Sequence, residues 1–193
     1  MAAVLRASIP IETVAPGTTL ARIHRLTLVE PFFGPAPGDP PDHRFHDPAG
    51  KFRVCFLGEH ATASVVETFL RSPPVRLITL AEIATRRLTT FNVLRELRLA
   101  KLRDEGLARL GCTAEITSSS PPYADPQRLS RDLWQHADQP DGIQYRCRHD
   151  NGLLAVALYD RAETALSVQH SENLGDDHDR LLQWSGRYGF SLA

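Results

Sequence analysis

The sequence has few cysteines, and their arrangement excludes several kinds of site. Among its 193 residues there are three cysteines, Cys55, Cys112 and Cys147, and none of them belongs to a C-x-x-C pair. An odd number of widely separated cysteines predicts neither a disulfide framework nor a structural zinc site. Free thiols are instead typical of a protein that stays in a reducing compartment.

The sequence also lacks long apolar runs and an excess of charge. No apolar run approaches the roughly 20 residues that span a bilayer, and the first residues lack the cationic and apolar segments of a secretory leader. The net charge of −1 provides no basic field that would attract a phosphate backbone. We therefore expect a cytoplasmic protein that neither enters a membrane nor binds nucleic acid directly.

What is present is the composition of an ordinary globular domain. Hydrophobic residues make up 42% of the chain and charged residues 23%, and 193 residues suffice for one hydrophobic core but are few for two. We predict a lead-in over residues 1–17, one domain over residues 18–166, and a C-terminal tail over residues 167–193 that packs on or near the domain.

Residues 44–67 hold a charged turn, an apolar strand and a helix in direct succession. The strand is predicted over residues 52–57, which are aromatic, β-branched and apolar and lie between two glycines. Thr62 is the expected N-cap of the helix, which packs through its apolar side and carries Glu67 on the opposite side. The proline pair after Ser72 is expected to end this helix.

The second half of the chain predicts a helix and then a β-hairpin. Asp125 is the expected N-cap of the helix and Pro126 its first residue. Strands are predicted over residues 143–147 and 153–159, with Asn151 and Gly152 as the turn between them. Together with the other short strand and helix patterns, these segments predict an α+β domain with a mixed or antiparallel sheet and helices packed outside it.

Several segments together resemble the RES domain family, which is named for its Arg, Glu and Ser residues. The resemblance depends on their order along the chain, from about residue 20 to residue 165. The segments are residues 21–25 (ARIHR), 43–48 (HRFHDP), 54–57 (VCFL), 65–67 (VVE), 123–127 (YADPQ) and 141–150 (DGIQYRCRHD).

The resemblance implies a fold similar to that of ADP-ribosyltransferases and a toxin of a bacterial toxin–antitoxin system that cleaves NAD at the nicotinamide–ribose bond. Such cleavage develops positive charge on the ribose, and a fixed carboxylate stabilises that charge; Glu67 matches the family's catalytic glutamate. Arg22 and Arg44 match its basic residues and would bind the pyrophosphate; we assign Arg22 to the catalytic residues with Glu67, and Arg44 to the substrate-binding residues. The acceptor of the ADP-ribosyl group, whether water, phosphate or a protein side chain, stays open.

Two positions depart from the family pattern. Phe56 stands where many relatives have Tyr, so it offers a ring for stacking but no hydroxyl. Cys147 stands where the family commonly has the Ser of a Tyr-x-Ser-Arg sequence, and we assign it to the catalytic site. These departures leave an alternative open, in which the chain is a catalytically silent RES-like module that binds a protein partner.

Other readings of the same residues carry less weight. From spacing alone, Glu67 would be a solvated helix carboxylate and either arginine an ordinary surface residue. Cys147 with His149 could form a nucleophile and its base, but no third orienting group is evident and a structural cysteine is the simpler interpretation. His24, His43, His46 and His60 match no standard ligand spacing, so no metal site is predicted.

The resemblance also implies partners. NAD is expected as a substrate and no cofactor is expected. An Xre-like helix-turn-helix antitoxin would bind and inhibit the protein, and a homo-oligomer is possible. The sequence names neither the antitoxin nor the oligomeric state.

Overall fold

Two sheets and six α-helices make up the part of the chain that the computed structural model describes, namely residues 8–36, 38–70 and 77–193. The predicted α+β class is confirmed. Eight strands form a mixed sheet in the order β1-β6-β7-β8-β3-β2-β5-β9, and two form a small separate sheet. The strands are β1 (Ile11–Val14), β2 (Thr19–Arg25), β3 (Val54–Gly58), β4 (Leu77–Ile78), β5 (Arg86–Val93), β6 (Leu97–Leu102), β7 (Gly142–Cys147), β8 (Asp150–Tyr159), β9 (Leu166–Asn173) and β10 (Ser191–Leu192).

All neighbouring strands of the main sheet run antiparallel except one pair. The exception is the parallel pair β6 and β7, which requires a crossover connection; three helices provide it. Two short 3-10 helices follow β8 and β9. The α-helices are α1 (Ala61–Phe69), α2 (Leu80–Ala84), α3 (Glu105–Arg109), α4 (Glu115–Ser118), α5 (Ala124–Gln135) and α6 (His178–Tyr188).

The sheet is buried on both faces. On one face, the side chains of Ala21 and Ile23 join a cluster that includes Val65 and Val66 of α1. On the other face, Leu20 of the same strand packs in a second cluster with Phe33. This arrangement follows from the alternation of side chains along a strand, and it places α1 on the face of Ala21 and Ile23.

Strand β2 is paired very differently along its two edges. It pairs with β5 along its whole length, from Thr19 opposite Asn92 to Arg25 opposite Arg86. With β3 its register contains one pair, Ala21 opposite Gly58. Beyond this pair the two strands diverge, and a cleft opens between them.

The predicted strand–helix unit is present, but its helix begins differently. Residues 54–58 form β3, and Glu67 lies in α1 as expected. The prediction that Thr62 is the N-cap is wrong, because the helix begins one residue before it and His60 is the cap. The Thr62 hydroxyl instead accepts a hydrogen bond from the Trp184 indole nitrogen (3.2 Å). The predicted helix end at Ser72 and the two prolines after it lies outside the described residues.

Two other local predictions need correction. Helix α5 begins at Ala124 with Tyr123 as its cap, so Asp125 lies in the first turn and is not the N-cap. The β7–β8 hairpin is present, but its turn is formed by Arg148 and His149, because Cys147 pairs with Asp150 and β8 begins there. The predicted Asn-Gly turn at residues 151–152 therefore lies within a strand.

The segments near both ends of the described chain pair with the main sheet or pack on the same core as the rest of the chain. Strand β1, in the segment predicted as a lead-in, pairs with β6 at one edge of the sheet. Strand β9, in the segment predicted as a tail, pairs with β5 at the other edge. Leu181 and Trp184 of α6 are buried against the α1 side of the core. The division into lead-in, domain and tail stays a prediction.

Candidate active site

The cleft between β2 and β3 contains a cavity of about 390 Å³, a size typical of small-molecule sites. Other parts of the chain complete its walls, among them helix α1, the loop before β3, and one side chain each of β5 and β7. The lining residues that matter for its chemistry are Arg22, Arg25, Asp42, His43, Arg44, Phe56, Glu67, Arg86 and Tyr145. Four of the five site residues predicted from the sequence are among them.

Glu67 projects from α1 into this cavity with a side chain that is 20% exposed. Its Oε2 accepts hydrogen bonds from Arg44 Nη2 (3.1 Å) and from the Tyr145 hydroxyl (3.2 Å). The backbone amide of Arg148 donates to Oε1 (3.4 Å). Three separate elements therefore orient the carboxylate, which remains accessible from the cavity.

Arg44 is held on a loop that α5 fixes from behind. The Gln127 side chain donates to the carbonyl oxygens of Pro41 (2.7 Å) and His43 (3.1 Å), and the Ser130 hydroxyl donates to that of Phe45 (2.8 Å). The Arg44 side chain is 12% exposed, and its guanidinium carbon lies 5.6 Å from the centroid of the Tyr145 ring. The loop therefore presents a guanidinium that is both stacked and ion-paired.

Arg22 belongs to the face of β2 that is opposite to the face covered by α1, and it lines the cavity from there. Its Nη1 donates to the Phe32 carbonyl oxygen (2.6 Å), to Glu30 Oε2 (3.2 Å) and to Cys55 Sγ (3.2 Å). Burial raises the pKa of the Cys55 thiol to about 11, so that this thiol stays protonated at neutral pH. Arg22 thus lines the same cavity as Glu67, but its hydrogen bonds belong to a separate network.

Phe56 forms an aromatic wall of the cavity. Its ring centroid lies 5.3 Å from that of His43 and 5.6 Å from that of His46, with Phe45 behind it at 6.4 Å. Half of this cluster is accessible from the cavity, since both Phe56 and His43 line it. The wall offers the flat apolar surface on which a nucleotide base or a pyridinium ring can stack.

Cys147, the fifth predicted residue, does not line the cavity. Its side chain is completely buried, at 0% exposure. Burial raises the pKa of the thiol well above its usual range, and the nearby carboxylates of Glu67 and Asp150 raise it further. The thiol is thus protonated at neutral pH, which argues against the alternative of a Cys147 nucleophile, because the thiolate is the reactive form.

Tyr145 is a site residue that the sequence analysis did not single out. It lies two residues before Cys147 on β7, is completely buried, and donates its hydroxyl to Glu67. Burial raises its pKa well above the usual value, and the charge of Glu67 raises it further, so the hydroxyl remains a donor. The signal that could have found it is the Tyr of the Tyr-x-Ser-Arg pattern.

Neither a metal centre nor a membrane segment is found in the described residues. Across residues 8–36, 38–70 and 77–193, no three His, Cys, Asp or Glu side chains are grouped so that they could hold a metal ion. His24 is instead buried against the Thr89 hydroxyl (2.8 Å). No helix in this part of the chain has the length and apolarity to cross a membrane.

The cleft between the diverging strands holds a carboxylate, several arginines and an aromatic wall. Comparison with known proteins shows the family to which a chain with this site belongs. The RES domain model matches residues 19–185. The chain therefore belongs to the RES domain family. The match extends past residue 166 and includes β9 and most of α6.

Two individual proteins are similar to this chain. A probable toxin named y4kH from Sinorhizobium fredii (strain NBRC 101917 / NGR234) is 34% identical over 110 residues, which are 57% of this chain and 83% of that protein. The crystal structure of the M. tuberculosis MbcT-MbcA toxin-antitoxin complex contains a chain with the same fold. It superposes with a TM-score of 0.60 at 14% identity, over 83% of this chain and 86% of that one.

Proposed function

We propose that this chain is the toxin of a bacterial toxin–antitoxin pair and that it cleaves NAD at the nicotinamide–ribose bond. The observation that carries the proposal is the Glu67 carboxylate, held by Arg44 and Tyr145 at the wall of a cavity that several arginines line. Membership of the RES family and the similarity to a protein named as a probable toxin support the biological role.

The chemistry requires a stabilised cation. When the bond between ribose C1′ and the nicotinamide nitrogen breaks, its electron pair goes to the nicotinamide ring, which leaves as a neutral molecule. Positive charge then develops on C1′ and the ring oxygen of the ribose, as in glycoside hydrolysis. The preorganised carboxylate of Glu67 stabilises this charge more in the transition state than in the ground state.

A second group completes the reaction. The acceptor, which is water, phosphate or a protein side chain, forms a new bond to C1′ and loses a proton to the solvent. Glu67 acts in this step through its charge. Arg44 and Tyr145 would keep the carboxylate in place while the substrate enters.

The remaining side chains of the cavity suit the rest of the substrate. Guanidinium groups bind phosphate oxygens through charge-assisted hydrogen bonds, which is the role we propose for Arg22 and Arg44. The ring of Phe56 would stack on the nicotinamide or adenine. NAD enters the reaction as a substrate, and the proposal requires no other cofactor.

The proposed activity calls for an inhibitory partner, because an enzyme that cleaves NAD inside the cell that makes it would exhaust the NAD of that cell. We propose that an Xre-like helix-turn-helix antitoxin closes the cleft by placing a chain terminus or an acidic side chain against Arg22 and Arg44. Co-expression with the protein of the adjacent reading frame should yield a complex that excludes NAD. If that protein neither co-purifies nor protects growth, the toxin–antitoxin assignment fails.

The enzymatic part is tested directly by incubating the pure protein with NAD and following nicotinamide by chromatography. Release of nicotinamide is expected. The second product identifies the acceptor: free ADP-ribose indicates water, a phosphorylated ADP-ribose indicates phosphate, and labelled protein indicates transfer. If no nicotinamide appears although NAD binds, the catalytically silent binding module is the better description.

A further inference from the structure

Two arginines outside the predicted site, Arg25 and Arg86, line the same cavity. Arg25 ends β2 and Arg86 begins β5, and the two residues are directly opposite each other in the antiparallel ladder. Side chains at such positions lie on the same face with Cβ atoms about 5 Å apart, and like charges there are destabilising. The pair therefore carries a cost in the unliganded protein.

The two side chains belong to the face of the sheet that carries the catalytic carboxylate. Alternation along β2 places Arg25 on the face of Ile23, which belongs to the same core cluster as Val65 and Val66 of α1. The guanidinium carbon of Arg86 lies 5.9 Å from the centroid of the Phe69 ring, which is also in α1. Both arginines thus lie on the face of the sheet on which α1 packs, and Arg86 lies over a ring of the helix from which Glu67 projects.

The existing partners leave these guanidinium groups with capacity for a ligand. The side chain of Arg86 is 18% exposed, and its Nε is buried without a hydrogen bond. Its ion pair with Glu82 (3.1 Å) involves a carboxylate that is 45% exposed, and such pairs contribute only a few tenths of a kcal/mol. Among the described residues, the ion pairs include Arg22, Arg44 and Arg86 but not Arg25.

The charges along the cavity wall also favour the binding of an anion near Arg25 and Arg86. Four arginines line it, against the carboxylates of Glu67 and Asp42. Glu67 is already paired with Arg44, while Arg22 has Glu30 on the far face of the sheet. Arg86 has the partly exposed Glu82 as its partner, and among the described residues Arg25 has no ion pair, so an anion bound beside the two would relieve the repulsion between them.

We infer that Arg25 and Arg86 form a phosphate-binding subsite, which takes a phosphate group of the nucleotide substrate in addition to the contacts of Arg22 and Arg44. This inference deepens the proposed function and rests on it for the identity of the ligand as a nucleotide. Two guanidinium forks from adjacent strands can hold the oxygens of one phosphate group between them. The phosphate could belong to a diphosphate bridge or to a ribose monophosphate.

Calorimetric titration of the complete protein at low salt tests the subsite without any catalytic step. The probes are adenosine, ADP and adenosine 2′-monophosphate, and the variants are Arg25→Gln and Arg86→Gln. Arg87→Gln is the matched control, because Arg87 neighbours Arg86 on β5 and is exposed but does not line the cavity. Loss of a charge-assisted hydrogen bond should weaken the phosphate-bearing probe about tenfold in either variant.

The expected result is that adenosine binds all four proteins equally, while a phosphate-bearing probe depends on Arg25 and Arg86 and not on Arg87. Dependence for ADP assigns the diphosphate bridge, and dependence for the 2′-monophosphate alone assigns the ribose phosphate. The inference is wrong if the parent binds neither phosphate-bearing probe or if both variants bind them like the parent. The inference is also wrong if the two variants bind adenosine more weakly by the same factor as the phosphate-bearing probes.

The two variants protect the test from a folding artefact. Arg86→Gln removes a contact with Phe69, whereas Arg25 is exposed and its replacement should leave the melting temperature unchanged. Failure of the proposed function is a different outcome: nicotinamide release would be absent from the parent while ADP binding still depended on the two arginines.

Discussion

Glu67 and Asp141 are both carboxylates paired with an arginine, but the two pairs are built differently. Asp141 accepts two hydrogen bonds from Arg95, at 2.7 and 3.0 Å, and one from the Arg98 amide at 2.9 Å. The shortest contact of Glu67, to Arg44, is 3.1 Å and uses one guanidinium nitrogen. Asp141 lies outside the cavity, whereas Glu67 lines it.

The difference separates a structural pair from one that is available for chemistry. Asp141 makes a bidentate contact with Arg95 and accepts a bond from the Arg98 amide, and these contacts join the chain before β7 to the start of β6. They leave the carboxylate of Asp141 little capacity for another ligand. Glu67 is oriented by longer bonds from three elements and retains an accessible side. A carboxylate that is positioned but not saturated can interact with a charge that develops during a reaction.

The largest expected effect comes from removing the charge of Glu67. Under the proposed function, expression of the parent should deplete cellular NAD, and Glu67→Gln should lower the cleavage rate by on the order of a hundredfold or more, because the role proposed for its carboxylate is to stabilise transition-state charge. Measurement of NAD in cell extracts after induction checks this. Glu96→Gln, which alters an exposed carboxylate outside the cavity, is the control and should deplete NAD like the parent.

Asp141→Asn is expected to lower the stability of the fold and to leave the activity unchanged. The fold should lose about 1–2 kcal/mol of unfolding free energy, since a charge-assisted bidentate contact is weakened while Arg95 is half exposed. The rate of nicotinamide release at 25 °C should stay at the parental value. Denaturant unfolding and the release assay measure the two quantities, and a parental stability combined with a lost activity would overturn the comparison.

A smaller effect is expected for Tyr145→Phe. The substitution keeps the ring under Arg44 and removes the hydroxyl that donates to Glu67, so the carboxylate keeps its charge but loses one orienting bond. Such a bond is worth about 1 kcal/mol, and the release rate should fall about fivefold with little change in KM. A rate equal to that of the parent would show that Arg44 and the Arg148 amide suffice to position Glu67.

The smallest effect is expected for Cys147→Ser. Burial is the larger cause, and the charge of Glu67 the next, of the raised pKa of the Cys147 thiol, so we expect this side chain to be protonated. It would then act through hydrogen bonding, in which a hydroxyl is at least as effective as a thiol. The release rate should be kept or raised, and iodoacetamide should not inactivate the parent at pH 7. Equal losses in Cys147→Ser and Cys147→Ala would instead favour a thiolate.

The local features of the fold could be predicted from the sequence, because they depend on neighbours along the chain. The apolar run that becomes β3 and the amphipathic pattern of α1 are of this kind. Caps and turns were predicted less well, since tertiary contacts compete for the same groups. The Thr62 hydroxyl is engaged by Trp184, and the pairing of Cys147 with Asp150 places the Asn-Gly pair inside β8.

The candidate site was predicted only through the family pattern. That pattern selected five residues, of which Arg22, Arg44, Phe56 and Glu67 line one cavity and the buried Cys147 does not; their roles stay predictions. The bond between Tyr145 and Glu67 joins residues 78 positions apart, and the pairing of Arg25 with Arg86 depends on the strand register. Periodicity within a segment carries no information about such contacts.

The central claim is that Glu67 stabilises the transition state and not the bound substrate. Its most direct test measures two quantities on one preparation of Glu67→Gln: the dissociation constant of NAD and the rate of nicotinamide release. The account predicts a dissociation constant within about threefold of the parent's and a rate lower by about a hundredfold or more. A parental rate in a variant that melts like the parent would contradict it, as would a loss of binding that matches the loss of rate.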